Sequence, residues 1–424
     1  MRLLVFSPYK IGFSDSNKGY YGAGWIGAFL RAMNNYAPDV EIGIVFEQRH
    51  QIENAKGNQC ESAKVYPLKV FQSLWSRLYK LLKFDYEATG LIPEIRKAIE
   101  TFKPDVIHIF GSETPVGIVC GLTDIPCVVH IQGFLPSYEN AKYPPGMNWK
   151  EDLPSIWLSP FGYFWRKHLI SIYHKRAERE KVFLSLCQMT FGRTNWDRAI
   201  AKLYAPQAKY HYVSEVLREP FYENVGCWKW HRHQPGMPFC IISVISLPLF
   251  KGHDVILKTA HLLKQHGNLN FHWKVYGLEW GLEGTARRIG ISPSENNVES
   301  CGVATAEELI MALKEADAFV LPSYIENSPN SLCEAQMLGV PCIATNVGGV
   351  ATLIMDGETG LLVPANDPVM MTNAIIRIAA DYELATMLGH NASIAAGERH
   401  NPRKIVADAL EGYKILLDNH PQLH

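Results

Sequence analysis

The sequence predicts an α/β protein with two doubly wound parallel sheets, each covered by helices on both faces. Three observations predict it: two successive series of short β-rich runs spaced by longer amphipathic stretches, an aperiodic break between them, and a length of 424 residues, which suits two or three domains. The first series is LLVF near residue 3, VEIGIVF near 40, DVIHIF at 105–110, CVVHIQ at 127–132 and QMTFGRT at 188–194. Apolar runs this short, separated by helical stretches, imply crossover connections and strands buried on both faces. The expected N-terminal domain is 1–219.

The break is PFYENVGCWKWHRHQPGMP at 220–238, rich in Pro, Gly, His and Trp, and it reads as a linker. The second series follows as FCIISVIS at 239–246, NFHWKVYG at 270–277, NVESCG at 297–302, AFVLPS at 318–323, PCIATN at 341–346 and GLLVP at 360–364, giving an expected C-terminal domain of 239–400. Ligands of such sheets bind at the carboxyl ends of the strands. The segment 401–424 opens with Asn-Pro, as a helix does, and is free to cross back to the N-terminal domain.

Composition excludes several classes. Hydrophobic residues at 47% and charged residues at 20% exclude a mainly disordered chain. Lys plus Arg number 41 against 42 Asp plus Glu, so no net basic charge drives nucleic-acid binding. The nine cysteines form no CxxC pair or zinc-type spacing and read as reduced thiols of a cytoplasmic protein. No run approaches the 18 or so apolar residues of a membrane span, and MRLLVFSPY is too short for a signal peptide.

The chemistry concentrates in LPSYIENSPNSLCEAQMLGVPCIATNVGGV at 321–350. A strand ends at Pro322; Ser328 is placed to cap a helix with Pro329 at its first position, and Gly339 and Pro341 stop it. The amides of Asn330, Ser331 and Leu332 then point from a helix N-terminus, where the dipole favours an anion such as a diphosphate. Glu334 on that helix suits the vicinal hydroxyls of a ribose, and Glu326 in the preceding loop suits a sugar ring. In VISLPLFKGHDVILKTA, Lys251 supplies a point charge and Gly252 a close backbone approach for a leaving diphosphate. GYYGAGWIGAFLRAM at 19–33 is a Gly-rich loop leading into a helix, with Gly22, Ala23 and Gly24 able to approach a ligand closely.

The pair Glu326 and Glu334, followed by EAQMLGVPCIATNVGGV and DGETGLLVP at 356–364, resembles the donor-site signature of the retaining glycosyltransferases of the family 4 type. The resemblance implies a GT-B fold of two Rossmann-like domains, with a nucleoside diphosphate sugar of UDP or GDP type held mainly by the C-terminal one. It implies transfer of a hexose with retention, in polysaccharide or glycolipid assembly. Glu326 then lies against the donor sugar, Glu334 on the ribose, and the Gly22–Gly24 loop beneath the phosphates. Relatives carry an Arg about five residues before the Lys; this chain has Ile245, Ser246 and Leu247 there, so Lys251 is the main expected cation and Ser246 a hydrogen-bond donor. Where relatives carry a His on the sugar, this chain has Gln132, followed by Gly133. Arg193, in FGRTNWDR, resembles a family stretch near the donor or acceptor. His108 and His130 read as core residues.

No DxD-type motif stands at a strand end, so no metal and no resident cofactor are expected. The expected partners are the donor and a saccharide or lipid-linked acceptor. The aromatic and basic segments 71–84 and 160–176 suit either an anionic membrane surface or packing on a sheet, so peripheral contact at the inner face of the membrane is a further expectation. Other readings of the same residues are a non-catalytic sugar-nucleotide-binding scaffold, an epimerase or a sugar-phosphate synthase of this fold.

Overall fold

The computed structural model describes residues 1–8, 24–47, 63–68, 84, 86–148, 160–230, 237–246, 248–266 and 268–419, without the side chains of 86 and 160–166. Gly22, Ala23 and most of the 71–84 segment lie outside the described residues. The chain divides into two compact units, residues 1–139, 160–216 and 400–424 in the first and 140–159 and 217–399 in the second.

The first unit holds a seven-stranded sheet: β1 (Arg2–Ser7), β2 (Glu41–Glu47), β3 (Lys64–Leu68), β4 (Val106–Phe110), β5 (Cys127–His130), β6 (Met189–Gly192) and β7 (Lys209–Tyr212), in the order β3-β2-β1-β4-β5-β6-β7. Every pairing is parallel. Strands β1 and β4 are buried almost throughout, as a sheet covered on both faces requires. Strands β3 and β7 escape the sequence pattern because they are edges. KVYPL and KYHY are short, polar and partly exposed, and Pro67 is tolerated only where one side of the strand is unpaired.

The Pro402–Asp418 helix packs on this sheet. Asn401 caps it by accepting from the Lys404 amide at 3.2 Å. At Gly412 a β-carbon would stand 2.5 Å from the Phe191 ring, so only glycine allows this approach. The next residue, Tyr413, brings its hydroxyl to 2.6 Å from His108 Nδ1. His108 and His130 are fully buried and stack with Phe110 at centroid distances of 4.1 and 5.4 Å. Burial pushes His108 down to about 3 and His130 well below its usual range, so both serve as neutral core rings.

The second unit holds a six-stranded sheet: β8 (Phe239–Val244), β9 (Phe271–Tyr276), β10 (Val298–Gly302), β11 (Ala318–Leu321), β12 (Cys342–Thr345) and β13 (Leu361–Val363), in the order β10-β9-β8-β11-β12-β13. All pairings are again parallel. Its central strands are joined by buried side-chain hydrogen bonds: Trp273 Nε1 donates to Ser243 Oγ at 3.0 Å, and that hydroxyl donates to the Val320 carbonyl at 2.7 Å.

The division between the units falls at 216/217, not at the expected 219/220. Residues 217–230 are built into the second unit because their aromatic side chains are core: Phe221 and Trp228 are buried, and Trp228 Nε1 donates to the Ala316 carbonyl at 2.7 Å. The amides of Gly226 and Trp228 add bonds to Met337 and Leu338. Among the described residues no helix is long and apolar enough to cross a membrane.

Glu180, on the Pro160–Leu186 helix, is 1% exposed and accepts from Ser112 Oγ at 2.5 Å and the Leu135 amide at 2.7 Å. Burial, with the Glu113 carboxyl nearby, pushes it up to about 8. The native state therefore holds a proton that the unfolded chain releases near its ordinary value of 4.5, and the stability from that protonated carboxyl falls as pH rises toward 8. Thermal unfolding between pH 5 and 8 is expected to slope downward in wild type and less so in Glu180→Gln; identical slopes would place the carboxyl outside this linkage.

Candidate active site

In the second sheet the strand order reverses between β8 and β11, and both strands end on the same side. This is the topological switch point of an open α/β sheet, where the loops diverge and leave a crevice. The loop after β8 carries Ser246 and Lys251, and the loop after β11 carries Glu326.

Two glycines let these loops meet. Gly252 has φ 84°, and a β-carbon there would lie 2.2 Å from the Pro322 carbonyl oxygen. Gly348, in the turn after β12, has φ 51°, and its β-carbon would lie 1.9 Å from the Glu326 carbonyl oxygen. That carbonyl accepts from the Gly349 amide at 3.0 Å. Tyr324 ties the loops again: its amide donates to the Phe250 carbonyl at 2.7 Å, and its hydroxyl donates to Asp254 Oδ2 at 2.9 Å.

The result is a direct ion pair. Lys251 Nζ donates to Glu326 Oε1 at 2.7 Å, and Ser323 Oγ donates to the same oxygen at 2.8 Å. The Glu326 side chain is 6% exposed and that of Lys251 21%. Among the described residues Glu326 Oε2 takes no protein hydrogen bond, so the carboxylate is fixed at one oxygen and open at the other. Two of the three Nζ donors of Lys251 likewise remain for a ligand. The next residue but one, His253, is pushed down to about 4 by burial, so the cation here is the lysine.

The helix after this loop spans Asn330–Leu338, with Pro329 as its N-cap at φ −73° and ψ 113°. The expected cap, Ser328, sits one residue too early: the extended backbone falls at Pro329, whose carbonyl accepts from the Leu332 and Cys333 amides at 3.0 and 3.2 Å. Leu332 therefore has no amide to offer a ligand, and its side chain is core. The Asn330 and Ser331 amides stay outside the helical ladder, and Asn330 Oδ1 is buried without a partner. Ser331 Oγ lies 3.4 Å from the Val244 carbonyl, so this helix end abuts the end of β8, and Ser246 is exposed beyond it.

Glu334, one turn into the helix, is 3% exposed. Arg218 grips it bidentately, Nε to Oε1 and a terminal nitrogen to Oε2, both at 2.7 Å. Sequence reasoning missed Arg218 and Ser323. One signal pointed to a hidden cation: Glu334 lies in a helix whose residues from Leu332 to Leu338 are all buried, and a carboxylate in such a place needs a charged partner.

The N-terminal candidates belong to the first unit. Gly24 opens the Gly24–Tyr36 helix. Gln132 and Gly133 follow β5, which ends at His130, so Gln132 is not on the strand. A β-carbon on Gly133 would meet Tyr138 at 2.5 Å. Arg193, expected near a ligand, is 3% exposed and turned inward. It donates to the Gln132 carbonyl at 3.1 Å, lies 3.6 Å from Glu215 and sits 4.9 Å over the Trp25 ring. Its role there is to join the ends of β5 and β6 to the segment after β7.

Two parallel sheets, each reversing its strand order once, with the C-terminal helix on the first, define a GT-B fold of two Rossmann-like units. Residues 239–381 match the family model described as group 1 glycosyl transferases. Among curated proteins it is 32% identical over 139 residues to the putative colanic acid biosynthesis glycosyltransferase WcaL of Salmonella typhimurium, covering 31% of this chain and 34% of that protein. It is 29% identical over 193 residues to the D-inositol 3-phosphate glycosyltransferase of Pseudarthrobacter chlorophenolicus, covering 45% and 46%. The chain thus spans less than half the length of these relatives. Among solved structures, the sucrose-phosphate synthase of Thermosynechococcus elongatus aligns with a TM-score of 0.70 at 16% identity over 98% of this chain and 99% of that one. HepE of Anabaena, in complex with UDP and glucose, aligns at 0.60 and 16% over 97% and 99%. At these identities the likeness is one of fold.

Replacing Gly348 by Ala is expected to cost about 3 kcal/mol, from strain at positive φ plus the clash with the Glu326 carbonyl. Gly357, at φ 76° with nothing within 4 Å, isolates the strain alone, and Gly357→Ala is expected to cost only about 1 kcal/mol. Equal costs in urea unfolding would contradict the close approach on which the Glu326 position depends.

Proposed function

We propose that this protein is a retaining glycosyltransferase that moves a hexose from a nucleoside diphosphate sugar, of UDP or GDP type, to a hydroxyl of a saccharide or lipid-linked acceptor in cytoplasmic polysaccharide or glycolipid assembly. The observation that carries the reading is the Lys251–Glu326 pair at the switch point, beside a helix end with two unbonded amides. A diphosphate between the Asn330 and Ser331 amides and Lys251 meets a dipole and a charge together. The open oxygen of Glu326 accepts from a hydroxyl of the donor sugar, and Glu334 accepts from the ribose.

The reaction breaks the bond from the sugar C1 to the diphosphate oxygen, the electron pair leaving with the phosphate. The acceptor oxygen forms its bond to C1 on the same face, and its proton passes to the leaving phosphate. Lys251 and the helix amides stabilise the charge that grows on the diphosphate, where preorganised donors are most effective. Glu326 and Ser323 hold the lysine and the sugar in register. Retention rests on the resemblance of the Glu326 to Glu334 segment. Transfer in glycan assembly is favoured by the colanic acid relative, and a UDP-type donor by the UDP bound to HepE.

Transfer and donor hydrolysis, measured with UDP- and GDP-sugars across a panel of acceptors, are expected to fall by about 10²-fold or more in Lys251→Ala and Glu326→Ala, the scale of losing one transition-state donor. UDP or GDP is expected to raise the melting temperature of wild type. Background turnover equal in wild type and Glu326→Ala, with every donor, would leave a sugar-nucleotide-binding scaffold as the better account.

A further inference from the structure

We propose that the second unit carries a further saccharide site, at the amino-terminal end of its sheet, which takes a sugar residue bearing a carboxylate or phosphate. The site is a cavity of about 360 Å³ lined by Trp228, Lys229, Trp230, Tyr382, Thr386 and His390, together with the backbone of Gly226 and Gly339. That volume falls in the range of small-molecule sites, about 300–1,000 Å³. The cavity lies at the other end of the sheet from the Lys251–Glu326 crevice. Trp230 packs on Phe239, the first residue of β8, at 6.5 Å between ring centroids, and Gly339 stands just before β12. The six residues of β8 separate the two ends by about 20 Å. The proposal therefore does not rest on the reading of that crevice.

Two stretches of sequence build the cavity. Tyr382, Thr386, His390 and Ser393 recur at helical spacing and share one face of the Tyr382–Arg399 helix. That face meets the segment that carries both tryptophans: a β-carbon on Gly226 would stand 3.6 Å from Ser393 Oγ. Gly389 brings the helix close, since a β-carbon there would lie 2.1 Å from the Gly339 carbonyl oxygen. The Trp230 ring meets Trp228 and Tyr382 edge to face at 6.2 and 6.0 Å, so the aromatic wall is fixed, while Tyr382 is 56% exposed and leaves it open to solvent. Aromatic rings suit the apolar face of a pyranose, and polar groups around them suit its hydroxyls. Here those groups are at hand: the Lys229 ammonium, the Thr386 hydroxyl and the His390 ring have no protein hydrogen bond or ion pair among the described residues. No carboxylate stands among the described lining residues, so the ammonium has no counter-charge in the cavity and an acidic sugar supplies one.

The test titrates the full chain by calorimetry with glucuronate, galacturonate and glucose 6-phosphate, each against neutral glucose and galactose, up to tens of millimolar. Wild type is expected to bind at least one acidic probe with a Kd of about 1 mM, and about threefold or more tighter than the neutral sugars, the scale of one exposed ion pair. The carboxylate and phosphate probes together tell which acid the site prefers. Tyr382→Ala, at an exposed position and checked by thermal unfolding, is expected to weaken binding of acidic and neutral sugars alike by about fivefold. Lys229→Ala is expected to abolish the preference for the acidic probe, and Glu326→Ala to leave binding unchanged. No binding of any probe by wild type, or binding that survives Tyr382→Ala and falls in Glu326→Ala, would overturn the proposal. A preference retained in Lys229→Ala would overturn the acidic assignment, and loss of UDP or GDP binding in Tyr382→Ala would make the cavity a nucleotide site instead.

Discussion

The ammonium of Lys251 and the carboxylate of Glu326 meet at 2.7 Å only because three backbone segments come closer than any side chain would allow. Gly252 lies against the Pro322 carbonyl and Gly348 against the Glu326 carbonyl, both at positive φ. A charged pair so little exposed is held by geometry more than by net attraction, since desolvation offsets much of the Coulomb gain. Its consequence is that the ammonium and the carboxylate are fixed relative to each other. The Ser323 hydroxyl and the Tyr324 clasp on Phe250 and Asp254 serve the same end.

The topology explains why these groups share a crevice. Strands β8 and β11 are neighbours in the second sheet but are far apart in sequence, so their loops leave in opposite directions from adjacent points. The Asn330–Leu338 helix then starts beside the end of β8, the strand from which the lysine loop leaves. Glu334 follows one turn later, on a helix so buried that its carboxylate needs the Arg218 fork. A cation, two amides outside the helical ladder and two held carboxylates thus arise from one strand crossing and one helix.

Much of this was legible in the sequence because it lies in continuous stretches. The central strands announce themselves as apolar runs, and the carboxylates, the glycines and Lys251 fall in motifs where every member is near its neighbours in the chain. What escaped was set by tertiary context. Strands β3 and β7 are polar edges, and no burial pattern marks them. The helix cap moved from Ser328 to Pro329 because the extended backbone falls there, which also takes the Leu332 amide out of the proposed site. Arg193 looked like a ligand group in FGRTNWDR, yet it folds inward onto Trp25 and the Gln132 carbonyl. Arg218 stands 116 residues from its partner Glu334, a pairing that no local pattern encodes.

The central claim is that the switch point of the second sheet receives a diphosphate. A crystal structure with UDP or GDP bound tests it most directly. The account predicts the β-phosphate within hydrogen-bond distance of Lys251 Nζ and of the Asn330 or Ser331 amide, with the ribose hydroxyls on Glu334. A nucleotide bound elsewhere, with the Lys251–Glu326 crevice empty, would contradict it.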